Sequence, residues 1–411
     1  MFTTITYIII AILVADYILE RGLAYLNTRS VKTELPKQLE GLYDATEYAK
    51  QQAYFKENQR FGLITSTFSL MLILAMFLVG GFALIDGFAQ DITHVKILVS
   101  LIFFGIIFFA NDLISTPFDV YDHFVIEQHY GFNKMTPLLY VGDKLKGWLL
   151  GAVVGGGLIA LISKIYDITA NHFWLLAWIL IASVSIFISM FYSQLIVPLF
   201  NKQTPLPEGE LRNEIEKFSE KAGFKLNNVF VIDGSKRSTK ANAYFSGLGA
   251  KKRIVLFDTL INDLSTQEIV AVLAHEIGHY KRKHTLMALG MSLLNSLIML
   301  YILGLFLSND SLAQAFGVEK ASFHINILAF GILYTPVSVA LGLLMNIISR
   351  RNEYQADAYA AEFGLGENLI EGLKKLSVKS LSNLQPHPAY VFFYHSHPTL
   401  LQRMEAIRKS Y

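Results

Sequence analysis

About seven stretches of predominantly apolar residues, each near 20 residues long, recur along the chain at 6–26, 62–85, 95–113, 148–165, 173–200, 286–307 and 325–348. Lipid offers the backbone no hydrogen-bond partners, so runs of this length fold as helices that satisfy their own amides. The composition agrees. Of 411 residues 53% are hydrophobic and 17% charged, and the mean hydropathy of +0.40 lies above that of ordinary soluble domains. The first run is not a secretory leader, since no basic residue precedes it and Glu20, Arg21 and Gly22 follow where small cleavage-site residues belong. A net charge of +2 creates no field for nucleic acid. With no cysteine in the chain, any metal must be held by His, Glu or Asp.

The runs divide the chain into membrane helices at 1–200, a polar segment at 201–285, two further spans at 286–348 and a polar tail at 349–411. Two crossings separate the polar pieces, so both face the same side. Basic residues gather on that side, among them Arg29, Lys32, Lys37, Lys134, Lys144, Lys146, Lys281, Arg282, Lys283, Arg350 and Arg351, against Lys96, Lys164 and Lys320 on the other. The positive-inside bias makes the polar segments cytoplasmic and leaves the N-terminus outside. Within 201–285 the pattern is mixed: a helix over 208–222 with Leu211, Ile215 and Phe218 in register, strands at 228–232, 242–247 and 253–257, and a turn over 247–252 joining the last two. Ser265 followed by Glu268 predicts a capping box that opens a helix running past His279.

That helix carries His275-Glu276-Ile277-Gly278-His279. Histidines four apart stand one turn apart on one helix face, where both can grip a single tetrahedral zinc. Glu276 then lies beside the metal, placed to act as general base on a water the metal acidifies and to pass the proton to the leaving amine. After the last span, Glu353 and Asp357 share a face of another helix on the same side of the membrane. Glu353 completes a two-His, one-Glu ligand set with an open fourth position, and Asp357 is placed to accept the free ring N–H of a ligand histidine.

Together with 242–247, 253–260, 349–357 and the Ser396-His397-Pro398 sequence followed by Arg403, these motifs resemble the integral-membrane CAAX prenyl zinc proteases, the type that process prenylated a-factor and prelamin A. The resemblance spans nearly the whole chain. It implies a mainly α, polytopic membrane fold enclosing a chamber, with a small α+β zincin-like catalytic part on the cytoplasmic side and one Zn2+ per chain. It also implies that Asn242 lies on an edge strand pairing with substrate backbone, that His397 stabilises the oxyanion, and that Arg403 orients ligands or the substrate carbonyl.

The expected activity is zinc-dependent endoproteolysis of prenylated or other membrane-associated peptides, in the endoplasmic reticulum membrane of a eukaryote or the cytoplasmic membrane of a bacterium. One rival is a heat-shock quality-control zinc protease, which has nearer four spans. Another, from a different class, is a transporter or scaffold with no need for Glu276. Site-2-type proteases take an aspartate from a later Asp-Gly, whereas Asp86-Gly87 and Asp233-Gly234 both precede the histidines here.

Overall fold

The computed structural model describes residues 3–410 except 33, 36, 170–171, 225–228 and 248–252. Apolar helices come first: α1 (Thr4–Arg29), α2 (Ala45–Leu78), α3 (Gly81–Ile92), α4 (Lys96–Tyr121), α5 (Pro137–Leu150), α6 (Gly157–Thr169), α7 (Phe173–Leu195) and the short α8 (Val197–Phe200). There follow β1 (Gln203–Pro205), α9 (Glu210–Lys221), β2 (Val229–Ile232), β3 (Ala243–Ser246), β4 (Arg253–Phe257), α10 (Asp258–Asp263) and α11 (Thr266–Lys281). The chain then forms α12 (His284–Phe306), α13 (Asp310–Gln314), α14 (Phe323–Leu333), α15 (Thr335–Glu362), α16 (Gly366–Lys379), α17 (Pro388–Tyr394) and α18 (Leu400–Arg408).

Among the described residues, five helical segments are long and apolar enough to cross a membrane: Ala45–Leu78, Lys96–Glu127, Pro137–Thr169, Phe173–Phe200 and His284–Phe306. The pair α14 and α15, bent by 53°, makes a sixth if counted as one broken span. Leu78, Leu84, Leu138 and Leu149 of these apolar helices are exposed, a state that is costly in water and ordinary against lipid tails.

Two expected spans are broken. The run at 62–85 ends as helix at Leu78, Gly80 takes a left-handed φ of 66°, and α3 restarts at Gly81. Only a residue without a Cβ enters that region freely. The run at 325–348 bends at Tyr334, and Pro336 sits in the first turn of α15, where its missing N–H leaves no helical bond unmade. Helix α1 covers the first run but falls outside the five because it carries Asp16, Glu20 and Arg21. Asp16 and Glu20 line a cavity of about 860 Å³, together with Phe61, Phe118, Asp119 and Asp122. Elsewhere in the bundle, buried His324 of α14 stands 2.6 Å from Asp86 Oδ1 of α3 and 3.2 Å from Ser100 Oγ of α4, a polar junction of three helices.

The strands form one sheet in the order β1-β2-β4-β3. β3 and β4 pair antiparallel as expected, with Ala243 opposite Leu256 and Ser246 opposite Arg253, while the turn residues 248–252 and residue 228 lie outside the described residues. β2 and β4 are parallel, which leaves β3 at the edge. One apolar core joins both polar segments: Ile215 and Phe218 of α9, Leu256 of β4, Leu273 and Ile277 of α11, Ala360 of α15, Ile370 of α16 and Ile407 of α18 pack together.

Helix α11 begins with the expected capping box, Ser265 Oγ accepting from Glu268 N and Glu268 accepting from Ser265 N at 2.8 Å. It then packs backbone to backbone on α15 at Gly278. A Cβ there would stand 3.0 Å from Tyr359 Cβ and 3.1 Å from Ala356 Cα. Gly278→Ala must push the two helices apart, at an expected cost of about 1–3 kcal/mol, seen as a lower unfolding temperature in detergent. Gly290→Ala on α12, with nothing within 4 Å of the added carbon, serves as control, and equal unfolding temperatures for both variants would contradict the close-packing account.

Candidate metal centre

One turn of α11 separates His275 from His279, and their Nε2 atoms converge to 3.1 Å. From α15, Glu353 brings Oε1 to 3.2 Å from His279 Nε2 and Oε2 to 3.5 Å from His275 Nε2. The three ligand atoms lie within 4.8 Å of one another. Glu276 is half-buried on α11 beside them.

Asp357, one turn after Glu353 and only 1% exposed, meets His275 Nδ1 at 2.8 Å. Arg403 of α18 grips Asp357 with both Nε and Nη2, at 2.9 and 2.6 Å. Burial works against a charge on Arg403, and the hydrogen bond and the charges of Asp357 and Glu353 outweigh it, so its pKa rises further. Burial likewise works against a proton on His275, yet the nearby carboxylates of Asp357 and Glu353 carry its pKa up to about 9. His397, in the loop before α18, has a side chain 61% exposed and its Nε2 3.3 Å from Glu353 Oε1. It opens onto a second cavity of about 360 Å³ lined also by Asn383, His395 and Ser396. Asn242 is exposed at the head of β3, its Oδ1 accepting from Ala243 N at 2.8 Å.

Two residues that the sequence did not single out complete the cluster. His284, the first residue of α12, sets its Nδ1 3.0 Å from His279 Nδ1, and its Nε2 is 2.9 Å from Gln355 Oε1 of α15. The one cue in the sequence was a third histidine just past the basic trio Lys281, Arg282 and Lys283.

The donor set fits a cation. Glu353 Oε2 is buried and no described residue hydrogen-bonds to it, the Arg403 guanidinium stopping 3.6 Å away, so its lone pairs stay open to a further cation. Two imidazole nitrogens pointed at one another beside that oxygen offer lone pairs to a common point, and two nitrogens with one carboxylate suit a borderline divalent metal.

Comparison with known proteins carries the reading from site to family. Residues 24–202 match the model described as the CAAX prenyl protease N-terminal region with five membrane helices, and residues 205–411 match peptidase family M48. The CAAX prenyl protease 1 of Saccharomyces cerevisiae is 35% identical over 96% of this chain and 93% of its own. The homologue from Dictyostelium discoideum is 34% identical over 98% and 97%. In three dimensions the crystal structure of S. mikatae Ste24p superposes with a TM-score of 0.92 at 34% identity, covering 98% of this chain and 99% of that one. Matches along the whole length, membrane part included, set aside the quality-control protease and the transporter as readings. The chain belongs to peptidase family M48, as a membrane metallopeptidase of the CAAX prenyl protease 1 group.

Proposed function

We propose that the protein is a zinc endopeptidase that cuts prenylated CAAX-type peptides, or other membrane-associated peptides, at the cytoplasmic end of a seven-span bundle. The observation that supports this best is the convergence of two imidazole nitrogens on one buried carboxylate, whose Oε2 has no hydrogen bond from any described residue. His275, His279 and Glu353 would hold one zinc per chain. When bound, zinc supplies Lewis acidity, strengthening water as an acid and polarising a peptide carbonyl.

The residues around it divide the remaining work. Glu276 follows His275 directly without being a ligand, so its carboxylate is free to take the proton of the attacking water and return it to the leaving amine. Asp357 accepts the Nδ1 proton of His275, and the two-pronged grip of Arg403 keeps it from swinging away. His397, largely open to solvent yet 3.3 Å from Glu353, is placed to hydrogen-bond the developing oxyanion. Asn242 heads an edge strand whose free side suits an extended substrate backbone.

Counting α1 and the bent pair α14–α15 as spans brings the crossings to seven, and the cavity contacts of Asp16 and Glu20 allow α1 to carry charge without facing lipid. The division into 1–200, 201–285, 286–348 and 349–411 then makes two membrane parts around one catalytic body, whose shared core supports a common side for 201–285 and 349–411. Basic loops favour the cytoplasmic side, in an endoplasmic reticulum or bacterial cytoplasmic membrane. The test presents prenylated and unprenylated versions of one peptide to the cytoplasmic face of sealed vesicles and reads products by mass spectrometry. Chelator-sensitive cleavage of the prenylated peptide is expected. Cleavage indifferent to chelator, or seen only from the opposite face, would overturn the proposal.

A further inference from the structure

The two candidate ligand histidines, His275 and His279, are held in different ways. His275 Nδ1 faces a carboxylate, Asp357, fixed by Arg403. His279 Nδ1 faces another imidazole, His284 Nδ1, at 3.0 Å, and the rings stand at 74° with centroids 5.1 Å apart. The far side of His284 is settled by Gln355, whose Oε1 lies 2.9 Å from His284 Nε2. A carbonyl oxygen only accepts, so His284 Nε2 carries the hydrogen. In a neutral ring its Nδ1 is then a bare lone pair, and the hydrogen between the two Nδ1 atoms belongs to His279. That in turn leaves His279 Nε2 unprotonated, on the side of His275 and Glu353. His284 is 5% exposed, closed in between His279 and Gln355.

The backbone is arranged for it. Five residues after His279 a continued helix would carry the side chain past its neighbour, but α11 stops at Lys281 and Lys283 takes a left-handed φ of 59°. A lysine enters that region at a cost, and here the turn starts α12 with His284 folded back against His279. Gln355 lies between Glu353 and Asp357 on α15, so one helix segment contributes a ligand, the partner of His275 and the anchor of His284.

We infer that His284, oriented by Gln355, is a positioning residue that fixes His279 in its Nδ1-protonated form and presents Nε2 to the metal. The inference rests on the metal-centre reading above. Its consequence is an asymmetric site, with His275 backed by an anion and His279 by a neutral ring, so that His279 is the weaker donor.

The experiment titrates purified full-length protein with zinc against a chelator and records the visible spectrum of the cobalt(II) form. His284→Phe keeps a ring but offers no acceptor, and its zinc dissociation constant should rise about 10- to 100-fold with altered cobalt bands. His284→Gln restores a carbonyl acceptor and should return both readouts to within about threefold of the parent, since outer-shell effects of this kind follow the hydrogen bond and not the shape. Gln355→Leu, which leaves the His279 neighbourhood intact, should weaken zinc in the same direction and stands in if His284→Phe does not fold. Parent-like zinc affinity and cobalt bands in His284→Phe and Gln355→Leu would overturn the inference. Glu353→Ala separates the two readings: if it binds zinc as the parent does, the metal centre itself is misassigned and the role of His284 falls with it.

Discussion

Replacing Glu276 by glutamine should lower peptide turnover by roughly 10²–10⁴-fold while leaving zinc content at about one per chain. The change is nearly isosteric and removes one thing, a carboxylate able to take a proton. Glu276 is half-buried on α11 and is not one of the three converging ligands, so neither metal binding nor packing depends on its charge. Turnover measured by product mass spectrometry and metal measured by elemental analysis separate the two properties. A variant that cuts at the parent rate would remove Glu276 from the chemistry, and one that has lost zinc would make it a ligand instead.

The second large effect is expected at Glu353. Glu353→Ala should weaken zinc binding by more than about a hundredfold, beyond the range for outer-shell partners, and peptide cleavage should fall to background at sub-saturating metal. The carboxylate is buried against His275, His279, His397 and Arg403, so its removal also takes an anion from beside Arg403, which keeps its ion pair with Asp357. Because Asp357 keeps both hydrogen bonds from Arg403, the fold should survive, and unfolding in detergent should stay cooperative. Retention of tight zinc binding would exclude Glu353 as a ligand.

The parts of this protein that sequence reading reached are those set by local spacing. His275 and His279 fall on one face because a helix repeats every 3.6 residues, and the helix itself is announced by Ser265 and Glu268. Apolar length sufficed to find the five segments able to cross a membrane, though not the breaks in two of the expected spans: Gly80-Gly81 lies in a run apolar enough to hide it, and the bend at Tyr334 precedes a proline that a helix start tolerates equally well. What escaped are pairings decided at a distance. The parallel contact of β2 with β4 has no local signature, and His284 comes back to His279 only through a lysine in a conformation lysines seldom adopt. Arg403 entered by resemblance alone, and its two-pronged bond to Asp357 depends on α18 crossing α15, a contact between residues far apart in the chain.

Helix α15 runs from the apolar part of the chain to the candidate metal centre. From Pro336 to Glu353 it is an unbroken rod of about 26 Å, so a change in tilt of about 2° at its membrane end sweeps the carboxylate by on the order of 1 Å, against a spacing of 3.2 Å to His279 Nε2. Hydrophobic mismatch is absorbed largely by tilt. Zinc retention by this peptidase is therefore expected to vary with acyl-chain length when vesicles of different thickness are compared, and equal retention in all of them would rule out such a lever.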